Sequence, residues 1–202
     1  MNKDNELDKE FREYKSAKKY YRQSKLSKEQ FYTIRVKLFN ATTASINYDA
    51  VFKVYKETED DDNDVLNSRI KYKLGLHYLS GVGCKQDINN GYKKIVEASK
   101  FHLPDAKYWI KENGGEKDHG AEVAKKLLYK DEYDKLKQNL KNRYEKENNG
   151  SEYVRLGLAR YCIRRKMFDE ALKLLNEVGQ LQDKEISSQK EKLIKDVTKH
   201  LK

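Results

Sequence analysis

The stretch YKLGLHYLSGVG, Tyr72 to Gly83, decides the fold. It places a Leu-Gly pair, a tyrosine one turn later and two further glycines in a chain otherwise rich in lysine. Glycine weakens a helix, so Gly75 indicates that a second helix approaches closely at this point. Gly81 and Gly83 are typical of a turn with positive φ angles. The stretch therefore predicts the first helix and the turn of a helical hairpin.

Residues on both sides of this stretch extend the hairpin. Asp64 can cap a helix that runs to about Ser80, and Asp87 can cap the helix after the turn. A row of small and apolar residues on each helix is expected to face the other: Ile70, Leu74, Gly75 and Tyr78 on the first, and Gly91, Ile95, Ala98 and Ser99 on the second. Two antiparallel helices with small residues at their contact can pack closely.

The pattern of the first helix recurs later in the chain. Ile70, Tyr72 and Leu74 correspond to Ala106, Tyr108 and Ile110, each displaced by 36 positions. An internal period of this size is typical of a helical solenoid. A further hairpin is predicted in YVRLGLARYCIRRKMFDEALKLLNEVGQ, Tyr153 to Gln180, and a polar closing helix over 183–201.

The composition and the remaining segments favour an all-α protein. The 202 residues include one proline, and 37% are hydrophobic and 38% charged. Apolar spacing predicts a helix over 5–23, Ser27 and Gln30 can form a capping box for a second helix, and Asn47 or Asp49 can start a third. We expect a helical region with an acidic linker at 1–63 and a repeat array at 64–202, together forming one continuous domain.

At this point the chain resembles the Sel-1-like repeat family, relatives of tetratricopeptide repeats. The family pattern is carried by Leu74-Gly75, Tyr78, Gly81-x-Gly83-Cys84, Asp87, Gly91 and Ala98-Ser99. The match covers residues 69–110 and departs from the family at Cys84, Gly91, Ser99 and His102. The resemblance implies a short α/α solenoid of helical hairpins with an N-terminal helical extension, which is the fold expected here.

The resemblance also implies a function. Such proteins are non-catalytic protein-interaction modules, and some are bacterial adaptors or immunity proteins that neutralise a cognate toxin. The first helix of each hairpin lines the concave surface in these families, which assigns nine partner-binding residues: Arg69, Tyr72, Leu76, Leu79, Tyr108, Glu112, Leu156, Arg160 and Arg164. The expected partner is a protein with an acidic contact surface. The alternative is that the N-terminal helices cover one row of the first helix as ordinary core. That row consists of Arg69, Tyr72, Leu76 and Leu79.

The excess of basic over acidic residues is compatible with a different partner, a nucleic acid. The formal net charge is +10 and is spread over most of the chain, with an acidic break that includes Glu57 to Asp64. The segment YKSAKKYYRQSK, Tyr14 to Lys25, alternates aromatic and basic residues, a pattern that can stack bases and hold phosphates. A basic helical nucleic-acid-binding protein is therefore the second hypothesis. On a helix, however, Tyr14 and Tyr21 fall on the apolar row and favour core packing.

The sequence contains no recognised catalytic, metal-binding or cofactor-binding pattern. Four histidines lack the spacing of a metal site, and Cys84 and Cys162 are too few for a disulfide framework. Free thiols are expected. No run approaches the roughly 20 apolar residues of a membrane span, and the first residues have no apolar core of a signal sequence. We therefore expect a cytoplasmic protein that is not an enzyme and does not enter a membrane.

Overall fold

A computed structural model describes residues 3–59, 64–101, 103–113, 117–179 and 184–200. Within these ranges the chain forms ten helices and no strand, so the protein is all-α as predicted. The helices are α1 (Lys3–Arg22), α2 (Lys28–Ala44), α3 (Tyr48–Thr58), α4 (Val65–Ser80), α5 (Ile88–Lys100), α6 (Pro104–Asn113), α7 (Lys117–Tyr144), α8 (Gly150–Arg164), α9 (Phe168–Glu177) and α10 (Lys184–Thr198).

The chain divides into two compact units, Met1–Lys125 and Lys126–Lys202. The division falls inside α7, whereas the sequence suggested a boundary between 63 and 64, which stays a prediction. Residues 60–63 of the acidic linker lie outside the described ranges.

Side-chain caps fix where the early helices begin. The predicted capping box is confirmed: the Gln30 backbone N–H donates to Ser27 Oγ at 3.2 Å, and the Ser27 N–H donates to Gln30 Oε1 at 3.0 Å. The carboxylates or amide oxygens of three further residues accept bonds from the backbone three residues on, as predicted: Asn47, Asp64 and Asp87. These local bonds satisfy otherwise unpaired N–H groups at the helix starts.

The first three helices build an aromatic core. Phe31 of α2 stacks on two rings of α1, with centroids 5.8 Å from Tyr14 and 4.6 Å from Tyr21. The same core contains Ile70 and Leu74 of α4. The N-terminal helices therefore share a hydrophobic core with the first helix of the predicted hairpin.

Helix α4 has neighbours on opposite sides. Phe52 of α3 meets Tyr78 edge to face and lies 5.9 Å, between ring centroids, from His77. His77 is about 200° around α4 from Gly75, which faces α5. The row predicted to face α5 is thus only partly correct, because Ile70 and Leu74 join the core of α1–α3 and Tyr78 packs on α3. A helix that is covered by α3 and by α5 cannot present a wide open face.

The contact between α4 and α5 is made by backbone atoms. A Cβ atom at Gly75 would lie 2.5 Å from Ile95 Cγ1 and 2.9 Å from the Gly91 carbonyl oxygen. A Cβ atom at Gly91 would lie 2.8 Å from the Leu79 backbone nitrogen. Both glycines are therefore needed for this close crossing, which confirms the interpretation of the Leu-Gly pair.

The turn between these helices also requires glycine. Gly81 and Gly83 have φ angles of 67° and 72°, in the left-handed region that was predicted from the sequence. A Cβ atom at Gly83 would also collide with the Tyr48 carbonyl oxygen at the start of α3. The turn is therefore held against the N-terminal helices as well as closing the helical pair.

The second unit contains the predicted pair of helices α8 and α9. Ala159, Cys162, Ala171 and Leu175 are fully buried in it, and α10 packs on both helices through buried Ile186, Leu193 and Val197. Gly157 instead approaches α7, since a Cβ atom there would lie 2.7 Å from Leu140 Cδ1. Gly157 therefore serves a close approach of α8 to α7 rather than the contact between α8 and α9.

We predict that Gly75→Leu destabilises the protein. The larger side chain cannot fit against the Gly91 carbonyl and Ile95, so it must separate α4 from α5 at a cost of about 1–3 kcal/mol. Urea denaturation followed by circular dichroism would measure the loss. Gly179→Leu is the matched control, because no atom lies within 4 Å of a Cβ there. Equal stability of the two variants would contradict the close crossing.

Candidate partner-binding cleft

The structure separates the nine predicted partner-binding residues into two groups. Four are buried: Tyr72, Leu76, Leu79 and Leu156. Five are exposed: Arg69, Tyr108, Glu112, Arg160 and Arg164. The buried four serve as core in this conformation, and only the exposed five can touch a partner directly.

Packing within the first unit explains the burial of the row on α4. Leu79 lies against Gly91 of α5, so it belongs to the contact between the two helices. Tyr72 lies near Asp105 of α6, and burial together with that carboxylate raises the pKa of the tyrosine to about 12. Neighbours from the hairpin and the following helix, rather than the N-terminal helices alone, cover this row.

Tyr108 differs in exposure from Tyr72, the residue that the predicted 36-residue period pairs with it. Its counterpart Tyr72 is 8% exposed, whereas Tyr108 is 67% exposed. Helix α6 has only ten residues and buries Ala106, Trp109 and Asn113, spaced three and four apart. Tyr108 falls outside that stripe and therefore points to solvent.

Arg160 and Arg164 come together in a cleft of about 400 Å³ between α8 and α10. Ile163 of α8 and Leu193 of α10 also line it, as do three polar residues of α10, Gln189, Lys192 and Asp196. Leu193 is 8% exposed and Ile163 is half-buried, while both arginines are exposed. We call this the α8/α10 cleft. It has an apolar floor and a charged rim.

A chain of hydrogen bonds holds one of the rim cations. Arg160 Nη2 donates to Gln189 Oε1 at 2.6 Å, and Gln189 Nε2 donates to Glu185 Oε1 at 3.0 Å. Because the direct partner of Arg160 is a neutral amide, the guanidinium charge is oriented but not neutralised. Its other N–H donors have no partner among the residues that the structure describes.

The remaining charges of the α8/α10 cleft are also largely uncompensated. Arg164 and Lys192 form no ion pair with any described residue. Among the described residues, Asp196 is the one carboxylate that lines the cleft, and its Oδ1 lies 3.9 Å from Nζ of Lys199 outside it. Three cations around an apolar floor produce a surface that is complementary to carboxylates.

The other groove of the second unit differs in charge. It has a volume of about 630 Å³ between α7, α8 and α9, and acidic and basic residues line it in similar number. Arg155 in this groove pairs with Glu152 at 3.1 Å and approaches Glu177 at 3.8 Å. These pairs leave the groove with little net charge to attract a charged partner.

The first unit has a basic surface along α1. Lys15, Lys18, Lys19 and Arg22 line a cleft of about 370 Å³, which also contains Glu57. Lys15 lies 3.4 Å from Glu57, and the Lys18 ammonium donates to the Glu57 carbonyl. Tyr14 is buried, and Tyr21 is half-buried and stacked in the core, so their rings are not free to stack on bases.

Sequence reasoning missed the contribution of α10. Gln189, Lys192 and Asp196 stand three and four positions apart, which places them on one helical face. That spacing was visible in the sequence. What could not be read was that this face lies opposite Arg160 and Arg164.

The histidines and cysteines occupy separate environments. His77 is buried, and its Nδ1–H donates to the Val82 carbonyl at 2.7 Å, which leaves Nε2 without a partner among described residues. Cys162 is buried. Cys84 is partly buried, and its own burial, together with nearby Asp49 and Asp87, raises the pKa of its thiol to about 11. Neither cysteine forms a disulfide with a described residue. The side chains of His102 and His119 lie outside the described residues.

The described residues contain no cluster of three or more histidine, cysteine or acidic side chains able to hold a metal ion. None of the helices in the described ranges combines the length and the apolar character needed to cross a bilayer.

Comparison of the chain with protein family models, with curated proteins and with solved structures found no match.

We predict that His77 makes the folded state sensitive to acid. Burial among Tyr48, Phe52 and Tyr55, with a smaller contribution from Lys73, lowers the histidine pKa to about 4. The unfolded chain binds a proton at about pH 6.5. Between these values the unfolded state binds more protons, so the free energy of unfolding falls as pH falls, by up to about 1.4 kcal/mol per pH unit.

Urea denaturation of the wild type and of His77→Gln between pH 4 and 8 would isolate this contribution. The wild-type curve should fall more steeply than the variant curve below about pH 6.5. His200→Gln is the control, since His200 is exposed on α10's C-terminal side and stacks on Phe168. Parallel curves for wild type and His77→Gln would contradict the prediction.

Proposed function

We propose that the chain is a non-catalytic helical adaptor of the Sel-1-like type, a short solenoid of hairpins that binds a protein partner with an acidic contact surface. The α8/α10 cleft is the observation that carries this proposal. It combines Arg160 and Arg164, which were assigned to partner binding from the sequence, with Lys192 and an apolar floor. An acidic protein such as a cognate toxin is the kind of partner that this proposal names.

Unpaired cations beside apolar side chains favour a protein partner for a physical reason. Carboxylates of a partner can pair with the arginines through charge-assisted hydrogen bonds. Apolar side chains of the same partner can then displace water from Ile163 and Leu193. A partner that offered charge alone would leave this floor hydrated.

We predict that charge reversal at the α8/α10 cleft strongly reduces capture of the natural partner. Tagged wild type and Arg160→Glu/Arg164→Glu, expressed in the native cell and washed at moderate salt with nuclease present, would be compared by mass spectrometry. One stoichiometric protein should remain with the wild type, and about tenfold less should remain with the variant. Both arginines are exposed, so the variant is expected to keep its fold.

Lys130→Glu/Lys135→Glu is the matched control for this experiment. Both lysines are exposed on α7 in the same unit, and the pair changes the net charge by the same amount. The control should capture the partner as well as the wild type does. A partner that binds all three proteins equally would contradict the proposal, and so would capture of nucleic acid alone.

The second candidate function is nucleic-acid binding at α1. The row of Lys15, Lys18, Lys19 and Arg22 supports it, since none of its members except Lys15 has an ion pair with a described residue. The buried state of Tyr14 and the core stacking of Tyr21 restrict this surface to phosphate contacts, without stacking of bases on those rings.

For this candidate, an RNA oligonucleotide should bind with an affinity that falls steeply as salt rises, because several counterions are released together. Lys19→Glu/Arg22→Glu should weaken binding by about tenfold or more at low salt. Fluorescence anisotropy at several salt concentrations would measure both effects. Binding that ignores salt, or that survives the substitutions, would remove this candidate.

A further inference from the structure

The α8/α10 cleft has features that specify the shape of its occupant as well as its charge. Arg160 and Arg164 are four residues apart on one helix, so their attachment points are separated by about 6 Å along the axis. Lys192 stands on the facing helix α10, and Ile163 and Leu193 are more buried than the cations. An occupant must therefore offer negative charge toward two walls and apolar surface toward the floor.

The backbone geometry of the occupant decides whether it can meet these three demands. Successive side chains of an extended strand point in two opposite directions, so a strand offers the cleft one face only. Side chains of an α-helix leave the axis at steps of about 100°, so an apolar stripe can be flanked by carboxylates on both sides. The arrangement of charge and apolar surface in the cleft is matched by a helix.

The volume of the cleft limits how the helix is held. About 400 Å³ accommodates side chains but not a complete helix, whose diameter with side chains is about 10 Å or more. The occupant therefore lies across the opening of the cleft and inserts one stripe of side chains. This is the helix-in-groove mode of recognition, with anchors three and four residues apart.

We infer that the α8/α10 cleft binds an acidic amphipathic helix of the partner protein. Carboxylates one turn apart pair with Arg160 and Arg164, a carboxylate on the opposite flank pairs with Lys192, and apolar side chains between them cover Ile163 and Leu193. Gln189 is a positioning residue, because its amide oxygen holds the Arg160 guanidinium at 2.6 Å. This inference rests on the proposed function and adds the class of partner segment.

Binding of designed peptides to the full chain tests the inference. One fluorescent peptide of about 18 residues carries a leucine stripe flanked on both sides by glutamates at helical spacing. A second peptide has the same composition, with leucine and glutamate alternating as in a strand. Fluorescence anisotropy should give an affinity about tenfold or more higher for the helical peptide.

Variants of the cleft locate the bound peptide. Arg160→Glu/Arg164→Glu should weaken binding of the helical peptide by about tenfold or more, and Lys192→Glu by a smaller factor. Lys130→Glu/Lys135→Glu should leave it unchanged. Equal affinity for the two peptides, no saturable binding of either, or equal loss in the α7 control would overturn the inference.

A double-mutant cycle tests the role given to Gln189. Gln189→Ala should weaken binding of the helical peptide several-fold in the wild type and should have no effect in an Arg160→Ala background. A change of equal size in both backgrounds would show that Gln189 acts on its own or through the fold. That result would overturn its assignment as a positioning residue.

Failure of the helix inference can be distinguished from failure of the proposed adaptor function. If capture of the natural partner depends on Arg160 and Arg164 but the two peptides bind alike, the partner segment is not a helix and the adaptor proposal stands. If capture does not depend on the arginines, the adaptor proposal fails whatever the peptides do. Displacement of the helical peptide by an equal concentration of oligonucleotide would instead assign the cleft to polyanions.

Discussion

The contact between Gly75 and Gly91 is the constraint on which the first unit depends. Because backbone atoms of α4 and α5 meet there, no side chain can separate the two helices. The close crossing buries Leu79 against α5 and leaves the other side of α4 to α3 and the N-terminal core. The turn at Gly83 then touches the start of α3, which ties the helical pair to the preceding helices. One pair of small residues thus determines which surfaces of α4 are buried.

The close crossing of α4 and α5 also explains why the candidate site does not lie on α4. A helix with packed neighbours on opposite sides contributes core residues, and Tyr72, Leu76 and Leu79 are buried for this reason. In the second unit, α8 keeps one flank exposed beside α10, and its arginines line a cleft. The same kind of helix in a hairpin can therefore serve as core or as binding surface, depending on how many neighbours cover it.

Local features were predictable from the sequence, and the choice of neighbours was not. A cap such as Asp64 or Asp87 accepts a hydrogen bond from the backbone three residues away. The residues that determine it therefore lie within one turn of the sequence. The close crossing was predictable from Gly75, since glycine inside a helix has few other uses. Which side of α4 meets α3 depends on residues far away in sequence, and so does the pairing of Arg160 with Gln189. The burial of Tyr72 and the exposure of Tyr108 differ for the same reason.

Pairing identifies a candidate surface better than net charge does. The +10 charge is spread over the chain, and some cations of the second unit are paired locally, as where Arg165 donates to Glu132 at 2.7 Å. A charge that is already paired within the protein is less available to pair with a binding partner. The cations of the α8/α10 cleft keep their charge in solvent and stand beside apolar side chains. Because they are exposed, leaving them unpaired costs the folded chain little. A partner that brings carboxylates to the cations and apolar side chains to the floor gains from both charge pairing and apolar burial.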